Sequence, residues 1–353
     1  MPTSLQGRAQ KAASQQGSRF RTLYGMLDED VLKQCWRDLR KDAASGVDHV
    51  SAQEYEQHLD ANIHGLVERL KQKRYRATLV RRHSIPTGDG TQRPRGIPAV
   101  EDKLQQLAVA RLLEAIDEQD FLRCSSGYRP QVGALDAVDT LTITRQFGCY
   151  AWVVDADITK FFDTIGHDGM VRMLAERIDD GALLQLIRKW LKAGGLDTDG
   201  TVLHPVTGTP QGGTVSPILA NVFLHDVLDL WLEKVVKPHW RGEACLSRYA
   251  DDCVCAFEEQ ADAERFYKVL GQRREKFGLE LSAAKTRIIP LSRYRLAGKT
   301  SFEFLEFAFR WGKDRKGKEH LKRRTAHKKL RSALKRFTAW CKENRHLRLP
   351  VLF

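Results

Sequence analysis

The stretch Arg248-Tyr249-Ala250-Asp251-Asp252 sets two carboxylates between apolar runs, Cys245-Leu246 before it and Cys253-Val254-Cys255-Ala256-Phe257 after it. Both runs are strand-like and too short to be anything but buried ribs of a sheet, so the aspartates read as the tip of a tight hairpin. Adjacent carboxylates held by buried strands repel each other, and a divalent cation between them is the simplest relief. Asp is also an ordinary turn former, so the pair alone does not separate chemistry from punctuation. A second acidic site comes from Tyr150-Ala-Trp-Val-Val-Asp155-Ala-Asp157-Ile-Thr-Lys-Phe-Phe-Asp163, an apolar run that ends in carboxylates. It would deliver Asp157 at the C-terminal end of a strand, where open sheets usually place their chemistry.

The chain of 353 residues is 42% hydrophobic and 29% charged, ordinary for a soluble globular protein of two or three domains. No apolar run approaches the roughly 18 residues of a membrane span, and no partner membrane is expected. Met1 to Ser18 is polar, without a signal-peptide core, and reads as a loose tail in the cytoplasm. The seven cysteines form no CxxC pair and no zinc-like spacing; Cys253 and Cys255 alternate along a strand and read as small core residues. The net charge of +13 is unevenly placed. Trp311–Phe353 holds 15 Lys/Arg against 3 Asp/Glu, and Arg69–Arg95 holds 9 against 1, which leaves the remainder acidic. Two basic zones around an acidic centre suit a polyanion gripped on both sides of a metal site, although solvated surface charge explains one such zone.

Along the chain, residues 28–73 read as helical with a break at Ala43-Ala-Ser-Gly-Val-Asp48, and Ser51 with Glu54 forms a capping box. Arg81-Arg-His-Ser-Ile-Pro86 and Arg93-Pro-Arg-Gly-Ile-Pro98 flank Gly88-Asp-Gly90 as an arginine-edged hairpin, and a helix follows from Glu101. Ser125-Ser-Gly-Tyr128-Arg129-Pro130 reads as a turn exposing an aromatic and an arginine, with a helix after it through Leu141; residues 167–193 read as one helix. In Gly208-Thr-Pro-Gln211-Gly212-Gly213-Thr-Val-Ser216-Pro217, serine and proline predict a helix start, and the glycine-rich loop before it suits phosphate or a base pair. A helix is expected over Ala261–Phe277 and a bulge or turn at Leu305-Glu306, where the Phe302/Phe304 alternation changes phase. From Lys322 on, Leu330, Leu334, Phe337 and Cys341 form a helical stripe.

In this order the chain resembles the reverse transcriptase/maturase proteins encoded by group II introns. The matching stretches are Ser45-Gly-Val-Asp48, Arg93-Pro-Arg-Gly-Ile-Pro98, Ser126-Gly-Tyr-Arg-Pro130, Asp157-Ile-Thr-Lys-Phe-Phe-Asp163, Thr209-Pro-Gln-Gly-Gly-Thr-Val-Ser-Pro217, Tyr249-Ala-Asp-Asp252, Lys285-Thr286 and Phe304-Leu-Glu-Phe307. The resemblance implies an α+β right-hand polymerase fold: a flexible polar tail over 1–27, an N-terminal helical extension and fingers over 28–150, a palm over 151–310 whose residues 175–215 return to the fingers, and the basic start of a thumb/maturase domain over 311–353. It implies an RNA-directed DNA polymerase, a nucleotidyltransferase with a maturase role. Asp157, Asp251 and Asp252 are its catalytic acids, holding two Mg²⁺ ions, or Mn²⁺ in their place, with the Ile158 carbonyl. Its partners would be an RNA template such as intron RNA, a DNA or RNA primer, and dNTPs.

By the same resemblance Arg81, Arg93, Phe162, Gln211, Gly212 and Lys285 contact the nucleotide, with Phe162 as the steric gate and Lys285 as a proton donor to pyrophosphate. Arg95, Tyr128, Arg129, Lys322, Arg323, Arg324, Lys328 and Lys329 are the candidates for nucleic-acid contact. The chain departs from the family pattern at Thr87, where lysine often stands, at Arg95, where leucine is common, and at Glu306, where glycine is usual. The chain also stops within the expected thumb, and no HNH-like Cys/His cluster follows. Two other readings stay open: a domesticated relative serving phage defence, CRISPR-associated spacer capture or diversity generation, and an RNA-binding splicing cofactor with weak polymerase activity.

Overall fold

The computed structural model describes residues 4–86, 92–159, 161–197, 199–204, 206–209, 212–282, 286–294 and 300–346. The first helix, α1 (Leu5–Ser14), overturns the expectation of a flexible tail over 1–27. Ser4 caps it, Ala12 is buried, and Phe20, Leu23 and Leu27 beyond it enter the core. The tail reading failed because α1 carries few large apolar residues, and the anchoring side chains come after it. α2 (Glu29–Asp38) starts on Asp28, whose side chain accepts from the Val31 amide at 2.9 Å. α3 (Ala52–Gln57) opens on the expected Ser51/Glu54 capping box, and α4 (Leu59–Lys71) follows. These helices gather round α5 (Val100–Asp117), whose Leu104, Val109, Leu112, Leu113 and Ile116 are buried.

β1 (Val80–Pro86) and β2 (Gln92–Ile97) form the expected antiparallel hairpin. The sheet grows on the β1 side by β4 (Gly195–Leu196), parallel to β1, and β5 (Val202–Leu203). Between the two halves of this sheet the chain makes α6 (Ala134–Phe147), β3 (Trp152–Thr159) and the short α7 (Phe161–Thr164). Where one helix was expected over 167–193 there are two, α8 (His167–Arg177) and α9 (Gly181–Lys192). The break has a local cause, since the Asp180 carboxylate accepts from the Ala182 and Leu183 amides at 3.1 and 3.2 Å and starts a new helix.

The second sheet carries the carboxylates. β6 (Ala244–Tyr249) and β7 (Asp252–Phe257) form the hairpin read from the sequence, β7 pairs with β3, and β3 also pairs with β8 (Glu280–Leu281) and β9 (Arg287–Pro290). Its faces differ as strand alternation requires. Val154, Ala156, Cys253, Cys255 and Phe257 pack on Phe266 and Leu270 of α11 (Gln260–Glu275). Val153, Val254 and Ile289 pack on Ala137, Val138 and Leu141 of α6. α10 (Ser216–Leu224) starts one residue before its expected position: Val215 is the N-cap, and the Ser216 hydroxyl bonds Thr209 Oγ1 at 2.9 Å instead of capping. Beyond Leu224 the helix widens into π-type turns at His225–Asp229 and Leu232–Val236.

A third sheet, β10 (Phe302–Phe304), β11 (Phe307–Lys313) and β12 (Glu319–Thr325), lies against the second through Phe302, Phe304, Phe309, Trp311 and Leu321. The change of phase at Leu305-Glu306 is a two-residue turn with both residues left-handed, at φ 49° and 66°. β12 corrects the expected helix from Lys322, because Lys322, Arg323 and Arg324 are in the strand and α12 (His327–Asn344) begins later. Leu330, Leu334, Phe337 and Trp340 on α12 are exposed, and no described helix is long and apolar enough to cross a membrane.

In the core Phe223 lies between Phe161 (6.1 Å between ring centroids) and Phe277 (6.2 Å). Phe223→Ala is expected to cost about 3–5 kcal/mol in urea unfolding, because three elements lose their shared ring and a cavity remains.

Candidate active site

The site follows from a strand register. Val153, Asp155 and Asp157 alternate onto one face of β3, and the antiparallel pairing sets Asp157 opposite Asp252 and Asp155 opposite Val254. Directly opposed residues of such a pair have Cβ atoms roughly 4.5–5.5 Å apart, so two acids meet across the strands. Tyr249 pairs with Asp252, leaving Ala250 and Asp251 as the whole turn, with Ala250 left-handed at φ 54°. The expected hairpin tip is therefore present, and it brings Asp157, Asp251 and Asp252 to one end of the sheet. The Ile158 side chain is buried on the opposite face, in the core under α10.

A cavity of about 430 Å³ opens at that end, lined by Asp155, Asp157, Asp252, Arg287, Glu303 and Glu306 among others. Burial pushes the Asp155 carboxyl up to about 6; Arg287 draws it down, while Asp252, Asp157 and Glu303 add to the rise. The sequence reading missed Asp155 and Glu303 as neighbours of the site, although the two-residue period from Asp157 places Asp155 on the same face. All the acidic donors are carboxylate oxygens, which suits a hard divalent cation. Among the described residues no three His, Cys, Asp or Glu side chains form a ready cage. An ion that keeps waters and takes one or two carboxylates with substrate phosphates fits such an open set.

Phe162, five residues after Asp157, is buried, with its ring against Phe161 at 5.3 Å. Its carbonyl accepts from the Thr209 amide at 2.7 Å, and the Ile165 carbonyl accepts from Gly208, so the glycine-rich loop is tied to the segment after β3. Gly212, at φ 112°, faces β2 so closely that a Cβ would lie 2.4 Å from the Gly96 carbonyl oxygen. Only glycine permits that approach. Gln211, Lys285 and Thr87 lie outside the described residues.

Arg81 is half-buried on β1 opposite Ile97, and its buried Nε has no partner among the described residues. Arg93 stands opposite Ile85, and Arg95, exposed, opposite His83. Tyr128 is exposed, whereas Arg129 turns inward, against the expectation for it. Arg129 Nη2 meets Glu118 at 2.6 Å and Nη1 donates to the Leu122 and Ser125 carbonyls, so this arginine closes its own loop. Arg323 is engaged as well, with Asp139 and over the Phe307 ring. Lys322 and Arg324 share the other face of β12 with His320, and Arg310 stands across the pair from Lys322. Lys328 is exposed, and Lys329 Nζ meets Glu306 at 2.6 Å.

The family described as reverse transcriptase (RNA-dependent DNA polymerase) matches residues 85–309. Among similar proteins, the group II intron-encoded protein LtrA of Lactococcus lactis subsp. cremoris is 35% identical over 65% of this chain and 38% of its own length. Protein YkfC of Escherichia coli (strain K12) is 33% identical over 59% of this chain and 62% of its own length. An uncharacterized 91 kDa protein in the cob intron of Schizosaccharomyces pombe is 39% identical over 59% of this chain and 26% of its length. The chain thus spans less than two thirds of each of these relatives. The solved structure of apo telomerase from Candida tropicalis, truncated from its C-terminal domain, superposes with a TM-score of 0.50 at 14% identity, over 66% of this chain and 53% of that one. That likeness shows the fold, a right hand of mixed helices and sheets.

Glu306 occupies a left-handed position, and its ion pair with Lys329 is exposed. Glu306→Gly removes about 1 kcal/mol of backbone strain and loses a surface pair worth roughly 0–1 kcal/mol. Urea unfolding is expected to show unchanged or slightly raised stability, by up to about 1 kcal/mol.

Proposed function

Because this chain belongs to the reverse transcriptase (RNA-dependent DNA polymerase) family, we propose that it is an RNA-directed DNA polymerase of the group II intron type, which extends a primer 3′-hydroxyl with dNTPs on an RNA template and also binds intron RNA as a maturase. The observation that carries the reading is the register that sets Asp157 opposite Asp252, beside Asp251, at the rim of an acidic cavity. Asp157, Asp251 and Asp252, with the Ile158 carbonyl, would hold two Mg²⁺ ions, which Mn²⁺ could replace. When bound, such ions lower the pKa of the primer hydroxyl and neutralise the charge on the triphosphate and leaving pyrophosphate.

The remaining work belongs to the chain's own groups. Arg81 and Arg93 on the hairpin would orient the triphosphate, which guanidinium forks do well, and Lys285 would give pyrophosphate its proton. Gln211 and Gly212 would lie against the incoming base pair, in a loop whose Thr209 amide donates to the Phe162 carbonyl. The Phe162 ring would exclude a 2′-hydroxyl. Arg95, Tyr128, Lys322, Arg324 and Lys328 would hold the nucleic-acid strands, a grip that weakens with added salt. Arg129 would support that surface from within, and the exposed Arg323 and Lys329, paired with Asp139 and Glu306, would border it.

Primer extension on an RNA template tests the reading. Wild type is expected to extend, and Asp251→Asn/Asp252→Asn to lose about 100-fold or more; salt-sensitive RNA binding without extension by wild type would instead point to a splicing cofactor. Phe162→Val is expected to raise ribonucleotide incorporation relative to deoxynucleotide by roughly 10–100-fold, measured by competing rNTP against dNTP in single-nucleotide addition.

A further inference from the structure

Behind the carboxylate turn lies a side chain that none of the chemistry above uses. Arg248 is fully buried, and each of its five N–H groups has an acceptor. Nε and Nη2 fork onto the two oxygens of Asp229 at 2.8 and 2.6 Å, and Asp229 is itself fully buried. Nη2 also donates to Ser125 Oγ at 2.6 Å. Nη1 donates to Asn221 Oδ1 at 3.2 Å and to the Ala250 carbonyl oxygen at 3.0 Å.

The last of these bonds reaches the turn itself. Ala250 is the left-handed residue from which the chain passes to Asp251, a conformation that an L residue adopts only when its surroundings impose it. Those surroundings are built on the same guanidinium. Asn221 Nδ2 donates to the Gly127 carbonyl at 2.7 Å, and the Arg248 amide and carbonyl pair with Cys124 and Ser126. The 124–127 segment is thereby pressed on the turn so closely that a Cβ at Gly127 would lie 2.3 Å from the Ala250 nitrogen. A buried ion pair is weak evidence of stability, since apolar residues of similar volume often serve as well. A planar fork that joins three elements to one carbonyl is better explained by the geometry it imposes.

We propose that Arg248 is a positioning residue for the reaction: through the Ala250 carbonyl it holds the turn that sends Asp251 and Asp252 towards Asp157. The inference rests on the polymerase reading of those carboxylates, and its test has one arm that does not. Arg248→Met/Asp229→Leu removes both charges together, leaving neither buried alone. On the full chain, hydrogen exchange without added metal is expected to quicken about tenfold or more at the amides of residues 249–252, with α11 unchanged. In primer extension, kcat is expected to fall at least tenfold and the Mg²⁺ concentration for half-maximal rate to rise, with KM for the primer–template within about twofold. A folded double variant with wild-type exchange at the turn and wild-type kcat overturns the proposal.

Should the double variant not unfold cooperatively, Arg248→Lys keeps the charge beside Asp229 and gives up the planar fork that also reaches the Ala250 carbonyl. Faster exchange at the turn there supports the proposal, and unchanged exchange overturns it. If wild type extends no primer, the polymerase reading falls, while the exchange arm still decides whether Arg248 fixes the turn.

Discussion

Antiparallel pairing between β3 and β7 is the constraint on which the site depends. Side chains alternate with a period of two, so a slip of one residue would turn Asp157 into the apolar face and bring Ile158 out. The register is held along the pair, where Val153 and Val254 pack on α6 while Val154, Cys253 and Cys255 pack on α11. Two filled faces leave one pairing that buries only apolar atoms, and the acids then emerge together at the open end. Asp155 lies at the transition between these regimes, and its raised pKa reflects that place.

Charge is arranged around this end in layers. Carboxylates line the cavity, with Arg287 at its wall. The β1–β2 hairpin carries Arg81, Arg82, Arg93 and Arg95, and β12 with α12 carries Lys322, Arg324, Lys328 and Lys329. Arg310 opposite Lys322 is a like-charge pair across strands, which disfavours the isolated sheet and which the proposed polyanion would relieve. The Glu306 pair with Lys329 links the turn at the cavity to the first turn of α12. On the polymerase reading proposed above, these fields would favour a phosphate backbone over the acids, with cations drawn to the acids themselves.

Much of this was legible in the residues. The β6–β7 hairpin, the acidic end of β3 and the arginine hairpin announced themselves through alternation and turn chemistry, and the matching motifs supplied their order. What stayed hidden has physical reasons. β12 offers a single buried apolar residue, Leu321, so its charged positions conceal the alternation. α1 gives the core only Ala12 and the partly buried Leu5, too little apolar pattern to read. Arg129 looked like a surface cation because its acceptor, Glu118, lies on the preceding segment and the Leu122 and Ser125 carbonyls cannot be read from residue type. The break between α8 and α9 rests on one aspartate, and the side chains that Arg248 binds lie 19 to 123 residues from it.

The widened turns after α10 bear on the same arrangement. An α-helix advances about 100° per residue, so the extra residue in a π-type turn rotates everything downstream of it. Asp229 ends the first such turn, at His225–Asp229, and meets the guanidinium at that altered angle. The wide turn works as a shim: excising one residue there would restore regular pitch and swing the carboxylate away from its arginine. Helical pitch far upstream in the chain thus sets the aim of acids that it never touches.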